Sequence, residues 1–481
     1  MTLTPGDDLI ETARQRTRDQ FALLQKAHRD SIIVDTDDPA DFNFMCSADH
    51  VLLPPADRRA DPQSPKFDPE YSPDEDEEDA VSRLVRWFEG RPGYGALPAR
   101  EPQPRGGLSR RFPLPPRTEP APDGKDLLAT LAEMDDDPEL GPGFATPDHL
   151  MHICPKGSIC PATEPAETAV IGLWPPQTGT LNAGAGVRVL VIDTGWYDPA
   201  ADPHAIQPIP QNLPWDWLTN PDVVGDPEPD GIWDDEVTHE LRPYAGHGTF
   251  VAGVVRSMAP QCEIRVLPLL IDRNAPGGGV FEQQLVDDLY DALGHEQLPD
   301  VINMSAGCPT RLNLPSRSFE DWRAELRSRD PVPDLVLVAA AGNNSSPWQF
   351  WPASFKWATG VGSLDHDGSV SSFSNWGDSA DVFALGRNLV NAFPNGTYHC
   401  HETPDKRDER RFENWRARWS GTSFAAPLIT GLIAAEISRQ QPADRSAKRA
   451  RDTVLAALPR MPSLRARKVA AVRAAQFPAQ P

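Results

Sequence analysis

The sequence predicts an α/β architecture, a mostly parallel central sheet with helices on both faces, preceded by a smaller α+β N-terminal domain. Three observations carry this. Residues 187–193 (VRVLVID), 262–270 (CEIRVLPLL), 301–305 (VINMS) and 334–341 (DLVLVAAA) are short, nearly continuous apolar runs, the pattern of strands buried on both faces of a parallel sheet. Between them lie helical stretches at 248–255, 281–293 and 319–328. Composition also shifts near residue 165, ahead of which stand proline-rich connections and the acidic run Asp74 to Asp79.

In chain order, residues 1–45 read as a polar extension with one helix at about 6–28. A domain at 46–154 follows, through which a strand-helix-strand-strand-helix-strand pattern can be threaded. Its first helix sets Val81, Leu84, Val85 and Phe88 at helical spacing, and residues 127–134 offer the second. Residues 155–168 form a linker, 169–462 the larger domain and 463–481 a tail.

Composition bounds the function. A chain of 481 residues, 39% hydrophobic, can bury a substantial core. A formal net charge of -24 argues against nucleic-acid or anionic-membrane partners, which need a basic surface. The N-terminus lacks the basic start and apolar run of a secretory signal, and no stretch reaches about 18 uninterrupted apolar residues. A soluble, cytoplasmic protein is expected. Cys46, Cys154, Cys160, Cys262, Cys308 and Cys400 show no disulfide-scaffold spacing, so reduced thiols are expected. A local Cys154–Cys160 bridge is the alternative for an exported protein.

Ligands of open α/β sheets bind at the carboxyl ends of the strands, which directs attention to the residues there. Asp193 closes the first apolar run in Val-Ile-Asp-Thr-Gly; alone, it also reads as a turn aspartate. His247 stands between two glycines in Gly-His-Gly-Thr-Phe-Val-Ala-Gly, where a helix-capping role is the alternative. Ser423 lies in Trp-Ser-Gly-Thr-Ser-Phe-Ala-Ala-Pro, ahead of the apolar stretch 424–435, where an N-cap is the ordinary role of serine. A hydroxyl at a helix N-terminus also sits beside free N–H groups and the positive end of the dipole, which favour a developing oxyanion.

Asp-Thr-Gly, His-Gly-Thr and Gly-Thr-Ser, in that order, resemble the subtilisin family of serine peptidases, whose triad runs Asp, His, Ser along the chain. Val-Ile-Asn-Met-Ser (301–305) resembles the family strand lining the substrate cleft, and Ala-Ala-Ala-Gly-Asn (339–343) the segment carrying its oxyanion asparagine. Trp-Pro-Ala-Ser-Phe (351–355) and Ser-Phe-Ser-Asn-Trp-Gly (372–377) are similar to family segments around the cleft.

The resemblance implies a serine endopeptidase that acts through an acyl-enzyme on a protein or peptide substrate, with no cofactor required. Asp193, His247 and Ser423 would be its catalytic triad and Asn343 its oxyanion donor. Ser305, Ala306, Gly307, Ala341 and Gly342 would form the substrate-binding walls. Two departures leave the pocket size open: Ala306 stands for the common leucine, and Ala-Leu-Gly (384–386) for Ala-Pro-Gly. Neither wall carries an acidic residue, so a requirement for Lys or Arg is not supported. The end of the domain at 46–154 is similar to that of the family's inhibitory propeptides, which implies an intramolecular propeptide-like domain and a maturation site in the linker. A catalytically silent peptide-binding protein on the same fold is the alternative, against which stands the retention of all four residues.

The acidic, Trp-rich segment between Asp193 and His247 reads as a solvated rim loop; a structural calcium site there lacks a recognisable ligand spacing, and no metal site is expected. Asn395 to Arg418 reads as a second rim loop. His152, Cys154 and Cys160 lack a fourth ligand at zinc spacing.

Overall fold

The computed structural model describes residues 5–28, 31–54, 79–89, 91–98, 110–152, 163–168, 182–208, 223–228, 231–270, 279–294, 298–329, 331–459 and 470–471. Helix α1 (Pro5–Ala27) opens the chain; proline takes its first position, and from Asp7 onward it contains neither glycine nor proline. Its Phe21 and Leu24 are buried with Ile32, Val34, Phe42, Met45, Leu150 and Phe281.

Then follow β1 (Ile32–Val34), β2 (Met45–Leu53), α2 (Ala80–Phe88), β3 (Arg110–Pro113), α3 (Asp126–Asp135) and β4 (Thr146–His152). β2 is central, antiparallel to β1, β3 and β4. Asp79 caps α2 by accepting from the N–H groups of Val81 and Ser82, and Val81, Leu84 and Phe88 share one buried core with Leu127, Leu131 and Met134 of α3 and with Val51, Leu53 and Phe112 of the sheet. Two expectations need correction. Among the described residues one strand, not two, separates the helices, because the chain after Pro113 makes only an isolated bridge between Arg117 and Tyr94. The boundary at residue 45 also cuts through the sheet, since β1 supplies its edge; three residues are too few to show periodicity.

The larger unit contains β5 (Arg188–Ile192), β6 (Val223–Gly225), β7 (Trp233–Asp235), β8 (Glu240–Leu241), β9 (Glu263–Leu267), β10 (Gly279–Phe281), β11 (Val301–Met304), β12 (Val336–Ala340), β13 (Ala358–Leu364), β14 (Val382–Leu385), β15 (Leu389–Ala392), β16 (Gly396–His399), β17 (Glu409–Phe412), β18 (Arg416–Trp419) and β19 (Ala470–Ala471). Its main sheet has the order β19-β14-β13-β12-β11-β5-β9-β6, with every pairing parallel. β11, β12 and β13 are buried throughout, as interior strands of a parallel sheet covered on both faces are; β13 does so with the small residues Ala, Gly and Ser rather than with an apolar run. β19 falls in the stretch expected as a tail, where two alanines carry no strand signal. Register sets Ile192 beside Met304 and Met304 beside Ala339, so the carboxyl ends of β5, β11 and β12 open side by side.

The stretch Asn395 to Arg418 is not a rim loop. β16 and β17 join β8 and β7 in a four-stranded sheet, and Tyr398, Phe412, Trp415 and Ala417 enter the main core. The charged residues between them had suggested full solvation, but they alternate with these inward-facing side chains.

The two units share a sheet. β10 pairs antiparallel with β4, Gly279 opposite His152 and Phe281 opposite Leu150. Directly after β10, Glu282 meets His149 at 2.8 Å, and the Gln283 N–H donates to the Asp148 carboxylate at 3.3 Å. On the far side α1 grips the 399–406 loop: buried Arg16 and Gln20 bond Glu402, and Asp19 accepts from Thr403 and Lys406. Among the described residues, no helix is long and apolar enough to cross a membrane.

Candidate active site

Asp193 follows β5 and is fully buried. Its Oδ1 accepts the Thr194 N–H at 2.8 Å and meets Nδ1 of His247 at 2.6 Å. His247 opens the helix His247–Met258, with Gly246 ahead of it at φ 76°, a left-handed conformation that disfavours side chains. A Cβ on Gly248 would stand 2.4 Å from the Gly195 carbonyl oxygen and 3.1 Å from the Asp193 Cβ. Glycine thus lets the helix start press against the strand end, which brings imidazole and carboxylate into contact. Trp419 and Phe424 flank the His247 ring, each with ring centroid 5.2 Å away.

Ser423 lies in the first turn of the helix Thr422–Arg439, whose interior proline is Pro427. A helix would normally donate the N–H of residue 427 to the Ser423 carbonyl, but proline has none. Ser305 Oγ donates to that carbonyl instead, at 2.8 Å. The Ser423 hydroxyl returns a bond to the Ser305 carbonyl at 3.3 Å. Asn303 fixes the Ser305 hydroxyl from 3.0 Å and is itself held by Thr430 of the same helix at 2.9 Å. Ser423 and β11 are thereby locked together. In this rotamer the hydroxyl is engaged with Ser305 rather than hydrogen-bonded to His247.

Asn343 is buried beyond β12, and its Oδ1 accepts from both the N–H (2.8 Å) and the hydroxyl (3.0 Å) of Thr422. One helix-start donor is thus satisfied from another element.

Ser305, Ala306 and Gly307 continue β11, and Ala341 and Gly342 continue the neighbouring β12; of the five, Ser305 is the one hydrogen-bonded to Ser423. Gly307 pairs antiparallel with His152, with both hydrogen bonds at 3.4 Å. An extended chain already lies along this wall. Past residues 153–162, which with Cys154 and Cys160 fall outside the described residues, the Thr163 N–H donates to the Ser420 carbonyl, and Ala166 pairs with Arg418. The described part of the expected linker thus lies along the segment that leads into Ser423. The Glu164 carboxylate, pushed up to about 7 by burial and by Glu402, accepts from Tyr398 and from the N–H groups of His401 and Glu402. Burial holds His152 neutral, pushing it down to about 3.

Glu228 was not foreseen. It belongs to the acidic segment expected as a solvated loop, yet it is buried, accepting from Gly246 N–H at 2.7 Å and Thr194 Oγ1 at 3.1 Å. Burial, aided by the charge of Asp193, pushes its carboxyl up to about 8. A neutral carboxyl thus ties together the residues that follow Asp193 and precede His247. Nothing in Asp-Pro-Glu-Pro-Asp distinguishes this glutamate from the exposed Asp226 before it.

Residues 184–467 match the family model described as Subtilase family. Among curated proteins, the chain is similar to the thermophilic serine proteinase of a Bacillus species (strain AK1), 31% identical over 39% of this chain and 41% of the relative. It is also similar to the intracellular serine protease of Paenibacillus polymyxa, 26% identical over 54% of this chain and 69% of the relative. The match thus spans less than half the length of the first relative. A lanthipeptide protease crystal structure aligns at 20% identity and a TM-score of 0.44, covering 66% of this chain and 98% of that one.

Proposed function

The chain belongs to the subtilase family, and on that premise we propose that it is a serine endopeptidase whose triad is Asp193, His247 and Ser423. The observation that carries this is the buried Asp193–His247 contact at 2.6 Å, with Trp419 and Phe424 beside the His247 ring and Ser423 in the first turn of the helix Thr422–Arg439. Rotation about χ1 turns the Ser423 hydroxyl from the Ser305 carbonyl to His247. The imidazole takes its proton as the oxygen attacks the scissile carbonyl. Asp193 holds the tautomer and stabilises the imidazolium without becoming protonated. The oxyanion is received by the Ser423 N–H, free in the first helical turn, and by the amide of Asn343. His247 then passes the proton to the leaving amine, and water resolves the acyl-enzyme. Every proton transfer is assigned to a side chain, so the reaction calls for no cofactor.

The substrate is a protein or peptide bound as an extended strand along Ser305, Ala306 and Gly307, opposite Ala341 and Gly342. His152 supports this, because it pairs with Gly307 as a substrate strand would. The same pairing supports an inhibited precursor: the N-terminal region already pairs with the wall at Gly307, and the later residue Thr163 bonds Ser420, just ahead of Ser423. The test compares wild type with Ser423→Ala, using casein cleavage and the N-termini read by mass spectrometry. Casein cleavage and a new N-terminus between residues 153 and 168, both in wild type alone, are expected. Absence of cleavage in both proteins would favour the silent peptide-binding alternative. An intact but active chain would remove the precursor.

A further inference from the structure

Phe350 stands between the two substrate walls. It is almost fully buried, at 3% exposure. A Cβ built on Gly307 would meet ring atoms Cε1 and Cδ1 at 2.6 and 3.0 Å. One built on Gly342 would meet Cγ and Cδ2 of the same ring, both at 3.1 Å. The δ1 side of one phenyl ring therefore lies against Gly307 and its Cγ–Cδ2 edge against Gly342, one glycine from each wall. The ring is also held from behind: the Phe350 N–H donates to Ser354 Oγ at 2.9 Å, and the Ser354 N–H returns to the Phe350 carbonyl at 3.0 Å.

Strand register says what would have met this ring. His152 lies opposite Gly307, and in an antiparallel pair the residue two further along a bound chain lies opposite Ser305. The Ser305 carbonyl is the one the Ser423 hydroxyl touches, so the bound residue opposite Ser305 is the one presented for attack. Its side chain enters between 305–307 and 341–342, where the phenyl ring occupies the depth. Overfilling a packed apolar slot is unfavourable, so a large side chain would have to displace Phe350.

Resting on the endopeptidase reading above, we infer that Phe350 closes the principal specificity pocket, so that the enzyme cleaves after small residues (Ala, Ser, Gly) and discriminates against Phe, Tyr and Leu. The absence of the family's usual leucine at Ala306 does not enlarge the site, because the ring takes the space from the opposite end.

The test uses the full-length protein and internally quenched peptides that differ only in the residue on the acyl side of the cut, with active sites counted by fluorophosphonate. Wild type should show kcat/KM at least about tenfold higher for Ala or Ser than for Phe or Leu. Phe350→Ala should raise the Phe-to-Ala ratio by at least about tenfold per titrated site, while Phe350→Leu, which keeps bulk, should preserve the preference for small residues. A wild type that favours Phe or Leu, or a Phe350→Ala enzyme with an unchanged ratio, overturns the inference. Should Phe350→Ala fail to fold, the wild-type profile decides alone. A protein that neither reacts with fluorophosphonate nor cuts any peptide refutes the endopeptidase reading itself, an outcome distinct from cutting after the wrong residue.

Discussion

Replacing Glu228 by glutamine should make the protein's stability less dependent on pH. The carboxyl is pushed from its ordinary 4.5 up to about 8, burial being the main cause. Between those values the folded chain holds a proton that the unfolded chain releases. Its stabilising contribution is therefore complete below 4.5 and is lost as pH rises through about 8. The gap corresponds to at most about 5 kcal/mol. The substituted glutamine keeps an oxygen that can accept from Gly246 and Thr194 and stays neutral throughout, so it lacks this loss. Urea unfolding of both proteins at about pH 5 and about pH 9 gives the comparison. Glu164 and Asp287, both pushed up to about 7 by burial, impose their own slopes, but these are common to both proteins and cancel in the difference. Wild type should lose several kcal/mol more than Glu228→Gln over this range. Parallel pH dependence would refute the account of Glu228 as a buried neutral acid.

Three further outcomes follow from the contacts. Asn343→Ala should lower kcat by about 10²–10³, the cost of removing the equivalent donor from subtilisin itself, measured per fluorophosphonate-titrated site. Ser305→Ala leaves the Ser423 carbonyl, already deprived of a helical donor by Pro427, without its hydroxyl partner; urea unfolding should show a loss of about 1–3 kcal/mol. Arg16→Ala leaves Glu402 without its buried cation, and because removing one partner of such a pair costs about 3–5 kcal/mol, hydrogen exchange should rise in α1 and in the 399–406 loop together.

The candidate site was legible where its chemistry is local. Asp193 ends a strand, while His247 and Ser423 each open a helix, so a few neighbouring residues announce them. Asn343 was legible for the same reason, three residues beyond a buried strand. Glu228 and Phe350 were not. Glu228 acts across 34 residues to Thr194, and Phe350 matters only because two glycines from separate strands lie against its ring. The domain limits failed for a related cause: β1 and β19 have three and two residues, and pairing partners rather than sequence pattern make them strands. The Asn395 to Arg418 insertion misled through its charges, which hide an inward-facing aromatic set.

In the proposed mechanism one serine is made nucleophilic by one histidine. The direct measurement is to treat the full-length chain with a fluorophosphonate, digest it and locate the adduct by mass spectrometry. A single adduct on Ser423, abolished by Ser423→Ala and strongly slowed by His247→Ala, is the predicted result. An adduct on another residue, or labelling of Ser423 at the same rate without His247, would contradict it.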